Sequence, residues 1–346
     1  MAQQQYNTSA PRVGKLKGEI LKHAMPVLCL GISGDQKRMP KNQSDTVIYR
    51  RWLPRGGAVT NATTINQWSV DAAAHQVQEG VTPDADTLVP QNITVQLRQY
   101  ACLYAYTDKV ADLYEDNIPM EMKTQTGERM GLVREMIDYG ALKGCTNKFY
   151  SGGTSRSTVD EPLSITMLRK ATESIKGNRG RHVTGVLSAS PDYNTAPVER
   201  GYIVYAHTNN ENDIRSLPNF KETSEYGSRK TLHDSELGSC EGFRFIISPE
   251  LTAIADSGAA VGATGLKSTT GTSIDVYPYI VVAADAWANV ALRGMESFNV
   301  IHIPHTQKDK SDPLCQRGYI GAQFWSAAFV QNDGWMAVIE AGSTDL

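Results

Sequence analysis

The stretch that decides the fold begins with Asp312-Pro313-Leu314-Cys315-Gln316-Arg317-Gly318-Tyr319-Ile320-Gly321-Ala322-Gln323-Phe324-Trp325-Ser326-Ala327-Ala328-Phe329-Val330 and continues after Gln331 with Asn332-Asp333-Gly334-Trp335-Met336-Ala337-Val338-Ile339-Glu340. Aromatic and β-branched residues flank an Asn-Asp-Gly turn, whose residues readily adopt positive φ angles, so the pattern predicts a β-hairpin. An isolated hairpin is marginal in water and must pack on a larger body. With no polar chemistry between its strands, its predicted role is packing.

Length and cysteine usage set the outer limits of the fold. A chain of 346 residues is longer than a single hydrophobic core usually supports, so two or three lobes are expected. Its five cysteines are odd in number, widely spaced and never in a Cys-x-x-Cys pair, which predicts reduced thiols in a cytosolic setting and argues against zinc. The apolar stretch 25–32 is interrupted by Pro26 and too short to span a bilayer, so no targeting or membrane segment is predicted.

Charge is distributed unevenly along the chain. The net charge of -3 argues against a dedicated nucleic-acid binder. Residues 1–55 nevertheless carry ten Lys or Arg against three acids, a balance of +7, so the remaining residues sum to -10. A basic arm on an acidic body indicates either contact with a polyanion or an arm that binds acidic neighbouring copies.

The N-terminal region predicts one short helix. Ser9 is a suitable cap, Pro11 suits the first turn and Pro26 ends the helix. Two interpretations stay equally open: the helix packs on the body of its own subunit, or it forms part of an arm that lies on a neighbouring subunit.

Two strands separated by a long irregular segment follow. The strands are predicted at Thr46–Trp52 and Gln91–Asp108, and about forty residues with little periodicity separate them, which is unusual within a compact domain. In the second strand the inward parity changes between Leu97 and Tyr100. Since a period of two changes phase only at an extra residue or a new environment, we expect a bulge or bend near Arg98–Tyr100, where an extended arm enters a core sheet.

The rest of the chain predicts a mixed α+β fold without a regular βαβ repeat. Helical spacing, caps and stops predict a long helix over about 117–144 and a second over about 164–176, the latter capped by Ser164 and stopped by Gly177. Further predicted elements are strands at 202–207, 243–248, 276–283 and 298–302, a short helix at 210–217, and a loop at 255–271.

Motifs that would carry catalysis or bind a metal are weak. The segment 262–268 resembles a phosphate loop but lacks its glycine spacing. His302 and His305 are separated by a proline and have no nearby carboxylate pair, which favours strand-end histidines over metal ligands.

A catalytic triad of His207, Asp213 and Ser216 is disfavoured because the chain has no nucleophile elbow, so these side chains are expected to cap the short helix beside them. The pair Arg50-Arg51 is expected to form a strand-edge salt bridge rather than to stack on bases. We therefore predict no catalytic, cofactor-binding or metal-binding residues, no cofactor, and a protein that is not an enzyme.

Motifs spread over most of the chain resemble the major capsid proteins of tailed bacteriophages, specifically the group typified by coliphage N-four. The 312–340 block is the most specific part, although Cys315 stands where a small residue is expected. The other matching motifs are Gln78-Glu79-Gly80 with Pro83, Ile93-Thr94-Val95-Gln96-Leu97-Arg98-Gln99-Tyr100, Tyr106-Thr107-Asp108-Lys109, Tyr205-Ala206-His207, Asp213-Ile214-Arg215 with Phe220, Tyr226-Gly227, Glu236-Leu237-Gly238 and Gly242-Phe243-Arg244-Phe245-Ile246.

The resemblance implies the Hong Kong 97-type fold. Its expected parts are an N-terminal arm (1–45), an extended β-loop (46–99), a peripheral domain with a long spine helix (100–195 and 285–346) and an axial domain (196–284). Phe324, Trp325, Phe329 and Trp335 would then pack against the spine helix and the peripheral sheet.

The function that the resemblance implies is structural. Many copies would form hexamers and pentamers of an icosahedral shell enclosing double-stranded DNA, assembled in the host bacterial cytoplasm and located in the virion capsid. Expected partners are other copies, a portal, a decoration or scaffolding protein, and packaged DNA through weak, non-specific contact; no membrane partner is expected. Two alternatives stay open: an encapsulin-like nanocompartment that holds enzyme cargo, and a stand-alone hydrolase or carbohydrate binder.

Overall fold

The three-dimensional structure is a computed structural model that describes residues 25–57, 65–77, 79–80, 82, 85–113, 117–183, 200–226, 231–262, 264–295, 298–307 and 312–346. The expected N-terminal helix falls outside these ranges, apart from its last residues. Residues 25–29, which the structure does describe, are not helical.

The described residues form an α+β fold, as predicted. Its strands, numbered in chain order, are β1 Asp35–Met39, β2 Thr46–Trp52, β3 Pro90–Gln96, β4 Arg98–Thr107, β5 Lys148–Tyr150, β6 Tyr202–His207, β7 Lys221–Glu222, β8 Glu236–Cys240, β9 Phe243–Ser248, β10 Tyr277–Val282, β11 Trp287–Leu292, β12 Asn299–Ile303, β13 Arg317–Val330 and β14 Met336–Ala341. Its α-helices are α1 Asp108–Leu113, α2 Ile118–Lys143, α3 Ile165–Gly177 and α4 Glu211–Arg215. Short 3-10 helices lie at Leu30–Ile32, Ala73–His75, Arg156–Thr158, Thr208–Asn210, Thr223–Tyr226 and Asp333–Trp335.

The longest strand, β13, organises a five-stranded sheet that we call the helix-backed sheet. Along one edge β13 pairs with β4, and along the other it pairs first with β12 and then with β11, which in turn pairs with β1. Helix α2 covers one face, where Phe324 and Ala322 pack with Met130 in a small apolar cluster. The sheet thus takes strands from both ends of the described chain.

Helix α2 is the long helix that its spacing predicts. Asn117 caps it by accepting a hydrogen bond from the N–H of Met120, and Pro119 occupies the first turn, where no N–H partner is needed. The helix ends at Lys143, before Gly144. The second predicted helix, α3, is also present, with Leu168, Ala171 and Ile175 buried as its periodicity requires. Ser164 stands at the N-cap position, but its side chain makes no capping hydrogen bond, and the helix includes Gly177 and has Asn178 as its C-cap, so these two details of the prediction are wrong.

A second sheet, the central sheet, has seven strands in the order β5-β14-β10-β6-β9-β8-β7. Every residue of its neighbouring strands β10 and β14 is buried. One face packs on α3 through a large cluster that includes Leu168 and Ile339. The other face packs on the C-terminal half of α2 and on Trp287. The central sheet is therefore covered on both sides, which explains its continuous apolar runs.

The expected C-terminal hairpin is wrong in its pairing. Both strands exist, but β13 lies in the helix-backed sheet and β14 lies in the central sheet, so the Asn332-Asp333-Gly334 turn is a corner between two sheets. Asn332 stabilises this corner by accepting a hydrogen bond from the N–H of Gly334. A Cβ at Gly334 would lie 2.7 Å from Cγ of Asn178, so a close approach, and not a positive φ, requires the glycine.

The four aromatic residues of this block do not share one environment. Phe324 packs on α2 as expected. Trp335 is partly buried and contacts the apolar clusters on both faces of the central sheet. Trp325 and Phe329 instead pack beneath strands β2 and β3. The expected contact with the long helix is therefore wrong for Trp325 and Phe329.

The change of parity marks the end of one strand and the start of another. Strand β3 pairs with β2 and ends at Gln96, whereas β4 begins at Arg98 and pairs with β13 without interruption to Thr107. Buried Leu97 lies between them, and its N–H donates to the carbonyl of Asp45. The break is confirmed, one residue before the expected range.

The expected domain boundaries stay a prediction. The boundary at residue 285 separates β10 from β14, although these two strands are neighbours in the central sheet over six residue pairs. Any division of the chain into an axial and a peripheral part therefore passes through a shared sheet.

Candidate assembly surfaces

Strands β2 and β3 form a separate two-stranded ribbon, the extended hairpin. Their register runs from Thr46 opposite Gln96 to Trp52 opposite Pro90. The inner side packs on the helix-backed sheet, where the ring of Tyr49 stacks on that of Phe329 with centroids 5.1 Å apart and planes 10° apart. The alternating pattern of β2 therefore places every second residue against the body.

The outer side of the extended hairpin is exposed and carries two large apolar side chains, Ile48 and Trp52, among polar residues such as Arg50, Asn92 and Thr94. Ile48 is 61% exposed and Trp52 is 55% exposed. Further exposed apolar side chains continue into the segment between β2 and β3: Trp68, Val70, Val77, Leu88 and Val89. Large apolar side chains exposed in this number make the hairpin and the segment that follows β2 a candidate for contact with another protein.

Among the described residues, the arginine pair of the extended hairpin does not form the salt bridge that was expected. Arg50 Nε donates to Oδ1 of Asn92 at 2.9 Å, and Arg51 Nε donates to Oε1 of Gln91 at 2.6 Å. The strand-edge partners are therefore neutral amides on β3, because β3 offers Gln and Asn at the positions opposite the two arginines.

The helix-backed sheet has one face that α2 does not cover. Leu103, Ile301 and Ile303 lie there with exposed side chains, and Tyr319 lies between them on β13. They line an open cavity of about 390 Å³ that is mostly apolar. Together with Ile48 and Trp52 on the extended hairpin, this gives the subunit two separate places with exposed apolar side chains.

The segment that precedes β1 is fixed to the body of its own subunit. The N–H groups of Cys29 and Leu30 both donate to Oε1 of Glu135 on α2, at 2.7 and 2.8 Å. Ser33 accepts hydrogen bonds from Tyr205 at 2.8 Å and from Trp287 at 3.1 Å. Burial raises the pKa of the Cys29 thiol, so it stays protonated. Residues 29–33, which belong to the expected arm, are therefore held on the body of the same subunit by these hydrogen bonds.

The structure does not assemble the triad residues into a catalytic site. His207 Nδ1 accepts from the N–H of Asn209, Asp213 accepts from both the N–H and the hydroxyl of Thr344, and Ser216 donates to the carbonyl of Asn212. Capping by His207 matches the prediction, whereas Asp213 lies within α4 and bonds to Thr344, so its predicted role as a cap is wrong. Burial lowers the pKa of His207, which favours its neutral form.

The other motifs also have structural partners. His302 Nε2 lies 3.1 Å from the hydroxyl of Tyr106, and His305 lies 3.8 Å from a carboxylate oxygen of Asp112. No group of three or more metal-ligating side chains occurs among the described residues. In the loop 262–268, Leu266 is buried and the N–H of Lys267 donates to the carbonyl of Ser343, while residue 263 lies outside the described ranges. Within the part of the chain that the structure describes, no helix is both long and apolar enough to cross a membrane.

Comparison with known proteins identifies phage capsid proteins. No family model matches the chain. The major capsid protein of Pseudomonas phage KPP21 is 19% identical over 347 residues, covering 87% of this chain and 85% of that protein. Among solved structures, the capsid of Ralstonia phage GP4 has a TM-score of 0.63 at 11% identity and 99% coverage of both chains. The capsid of cyanophage Pam1 has a TM-score of 0.60 at 12% identity and 100% coverage of both. The head of Helicobacter pylori bacteriophage KHP40 has a TM-score of 0.59 at 12% identity, covering 97% of this chain and 96% of that one.

These similarities extend over nearly the whole chain, so they concern the complete fold and not one shared motif. The chain has the Hong Kong 97-type fold of phage capsid subunits, and this prediction from the sequence is confirmed. The narrower assignment to the coliphage N-four group stays a prediction.

Proposed function

We propose that this protein is the major capsid protein of a tailed bacteriophage, a structural subunit that assembles as hexamers and pentamers into an icosahedral head around double-stranded DNA. The observation that carries the proposal is the agreement of the whole fold with capsid subunits, at 99% coverage of both chains for the Ralstonia phage capsid. Fold alone does not define function. The capsid relative that is 19% identical over 87% of the chain adds support from sequence.

The two places with exposed apolar side chains support this role. Closed shells of identical subunits need heterologous contacts, in which one surface of a copy meets a different surface of the next copy. The outer side of the extended hairpin, with Ile48 and Trp52, is one such surface, and the open face with Leu103 and Ile301 is another. Both would be unfavourable in an isolated subunit and are covered in a shell.

The charge balance supports a shell that confines DNA without holding it tightly. Residues after 55 sum to -10, whereas tight binding to DNA requires many Lys or Arg that neutralise phosphates. Packaged DNA would therefore meet the inner wall through weak, non-specific contacts. In this proposal the protein catalyses no reaction, and a portal and a scaffolding or decoration protein are further partners in the host bacterial cytoplasm, where assembly takes place.

An encapsulin-like compartment is less well supported than a phage head. The curated relative is a phage capsid protein, and the structures compared above are phage capsids and heads. The two functions differ in contents, because a compartment of this kind holds an enzyme and a phage head holds DNA.

Negative-stain electron microscopy of the purified protein tests the proposal. Shells or hexamers are the expected result, and strictly monomeric protein at high concentration would contradict it. Nuclease treatment and mass spectrometry of purified particles then separate the two kinds of shell: a co-purified enzyme at fixed stoichiometry would contradict the phage head.

A further inference from the structure

A cavity of about 260 Å³ lies between the extended hairpin and the body. Tyr49 and Arg51 of β2 line it from the hairpin side, and Lys37 of β1 and Phe329 of β13 line it from the body. The remaining lining residues are Arg50, Ile93, Asp285, Gln331, Asn332 and Trp335. We call this cavity the cationic pocket, because Lys37 and Arg51 are both half-buried in it.

The two cations of the pocket have neutral hydrogen-bond partners. Lys37 Nζ donates to Oε1 of Gln331, and Arg51 Nε donates to Oε1 of Gln91. Among the residues that the structure describes, no carboxylate forms an ion pair with either cation, and the Nη groups of Arg51 make no hydrogen bond.

The carboxylates nearest the pocket are engaged elsewhere or act from a distance. Asp285 pairs with Arg181 at 2.8 Å, and Asp35 accepts from Gln331 Nε2. Asp333 attracts Arg51 only through its distant charge. The pocket therefore keeps an excess of positive charge against its aromatic walls.

Partial burial makes this arrangement unfavourable in the isolated subunit. Burial lowers the pKa of Arg51, and the charge of Asp333 offsets only part of that effect. Lys37 Nζ lies 4.8 Å from the ring centroid of Tyr49 and 5.6 Å from that of Phe329, so the rings provide part of its stabilisation. A desolvated arginine with free Nη groups is suited to bind a carboxylate in a two-pronged geometry.

We propose that the cationic pocket binds a carboxylate side chain, Asp or Glu, of a neighbouring copy of this chain in the assembled shell. This inference rests on the proposed function and adds to it the chemistry of one contact. Lys37 and Arg51 provide the charge, and the rings of Tyr49, Phe329 and Trp335 exclude water from the pair. A low dielectric strengthens the attraction between the charges.

The observations favour a neighbouring copy over packaged DNA as the source of the anion. DNA phosphates are bound by exposed cations that follow the backbone, whereas Lys37 and Arg51 are half-buried in a small cavity with aromatic walls. The acidic residues are abundant on the copy itself, because the chain after residue 55 sums to -10. The same chain therefore carries both the pocket and the ligands that it fits.

Occupation of the pocket would couple assembly to the position of the extended hairpin. One cation belongs to the hairpin and the other to the body, so a carboxylate that contacts both would hold them together. The hairpin would then be fixed against its own body by a side chain from the next subunit.

A substitution series tests the proposal. Arg51→Gln and Lys37→Met each remove one cation. Lys170→Gln removes an exposed cation on α3, outside the pocket and the extended hairpin, and serves as the matched control. We expect Arg51→Gln to lower the assembled fraction about tenfold or more at equal concentration, measured by mass photometry, because an unpaired buried carboxylate is costly. Lys170→Gln should assemble within about twofold of wild type, because its cation is exposed. The thermal unfolding midpoint of unassembled Arg51→Gln subunits should not fall, which separates an assembly contact from a folding defect.

Cryo-electron microscopy of wild-type shells, prepared with and without DNA, identifies the occupant directly. A neighbour's Asp or Glu at the Nη groups of Arg51 in both kinds of shell is the expected result. An empty pocket, a phosphate seen only in DNA-filled shells, or equal assembly of Arg51→Gln and Lys170→Gln would overturn the inference while leaving the proposed function intact. Wild-type protein that never assembles would instead contradict the proposed function. In that case thermal unfolding in sodium acetate and in sodium chloride at equal ionic strength still tests the pocket. The inference is overturned if acetate does not raise the unfolding midpoint of wild type more than it raises the midpoint of Arg51→Gln.

Discussion

The central sheet and the extended hairpin are both built from β-strands, yet they relate differently to solvent. All residues of β10 and β14 are buried, whereas the strands of the extended hairpin alternate between covered and exposed side chains. The central sheet is complete within one subunit, and the hairpin has one face without a partner. We therefore expect substitutions in the central sheet to change the stability of the subunit, and substitutions on the exposed side of the hairpin to change its association with other copies.

The largest expected effect on stability is at the buried end of this comparison. Trp287 is 0% exposed, and its Nε1 donates to the hydroxyl of Ser33. Trp287→Ala should lower the free energy of unfolding by about 3–5 kcal/mol, since it leaves a large cavity and removes one of the two hydrogen bonds that Ser33 accepts. Urea denaturation of unassembled subunits measures this, and a loss below about 1 kcal/mol would contradict it.

A pH-dependent effect should come next, at Asp138 on α2. Burial raises the pKa of its carboxyl to about 7, although the hydrogen bond from Asn289 and the charge of Arg134 partly oppose this, and the charge of Glu135 adds to it. An unfolded Asp titrates near about 4, so between about pH 4 and pH 7 the folded state binds more protons than the unfolded state. The free energy of unfolding should therefore be highest at the acidic end of this window and fall as the pH rises.

Asp138→Asn should remove most of this slope and stabilise the subunit at pH 8 by on the order of 2 kcal/mol, because its amide oxygen can still accept from Asn289. Urea denaturation at several pH values between 4 and 8 measures the slope. Glu173→Gln, at an exposed position on α3, is the control that should leave it unchanged. An identical slope in wild type and Asp138→Asn would show that this carboxyl does not control stability.

A smaller effect on the subunit is expected when residues 1–25 are deleted. The anchor formed by Cys29, Leu30 and Glu135 remains, so the free energy of unfolding should change by about 1 kcal/mol or less. Shell formation should nevertheless decrease, because the deletion removes part of the basic arm. Circular dichroism checks folding and electron microscopy checks shells. An unfolded truncated chain would reject this prediction.

The smallest effect on stability is expected at the exposed end of the comparison. Trp52 is 55% exposed on the outer side of the extended hairpin. Trp52→Ala should change the free energy of unfolding by less than about 0.5 kcal/mol but should impair assembly, which makes it the counterpart of Trp287→Ala. Denaturation and mass photometry on the same preparation give both values. Normal shells from Trp52→Ala would show that this face is not an interface.

Local patterns in the sequence predicted single elements well and their pairing poorly. The cap at Asn117 and the stop at Gly144 define α2 because capping depends on neighbouring residues. Strands β13 and β14 are rich in large apolar residues for the same local reason, namely burial. Nothing local distinguishes a turn between paired strands from a corner between two sheets, so the expected hairpin was wrong.

Five strands were not predicted from the sequence, namely β1, β5, β7, β8 and β11, because their residues or their lengths are not those typical of strands. Strand β11 contains Ala288 and Ala291, and alanine favours helices, but here small side chains fit between the sheet and its cover. Strand β1 reads Asp35-Gln36-Lys37-Arg38 and lies at a sheet edge, where charged residues are common. Strands β5, β7 and β8 are short or contain glycine, and β5 forms through a partner, β14, that is distant in the sequence.

The cationic pocket could not be predicted from the sequence. Its cations, Lys37 and Arg51, are ordinary surface residue types, and only the packing of Tyr49 on Phe329 brings them to one cavity. The exposed apolar side chains of the hairpin were partly foreseeable, since the long irregular segment between β2 and β3 indicated an interaction element.

The late position of β13 and β14 in the chain has a consequence for biosynthesis. Strand β4 pairs with β13 across more than two hundred residues of sequence, and β10 meets β14 only when residue 341 has been made. Polypeptides are synthesised from the N-terminus, so both sheets stay open while the ribosome translates most of the message. Nascent chains on one polysome therefore lack β13, the strand of the helix-backed sheet on which the extended hairpin packs. We expect copies to associate with each other only after nearly complete translation.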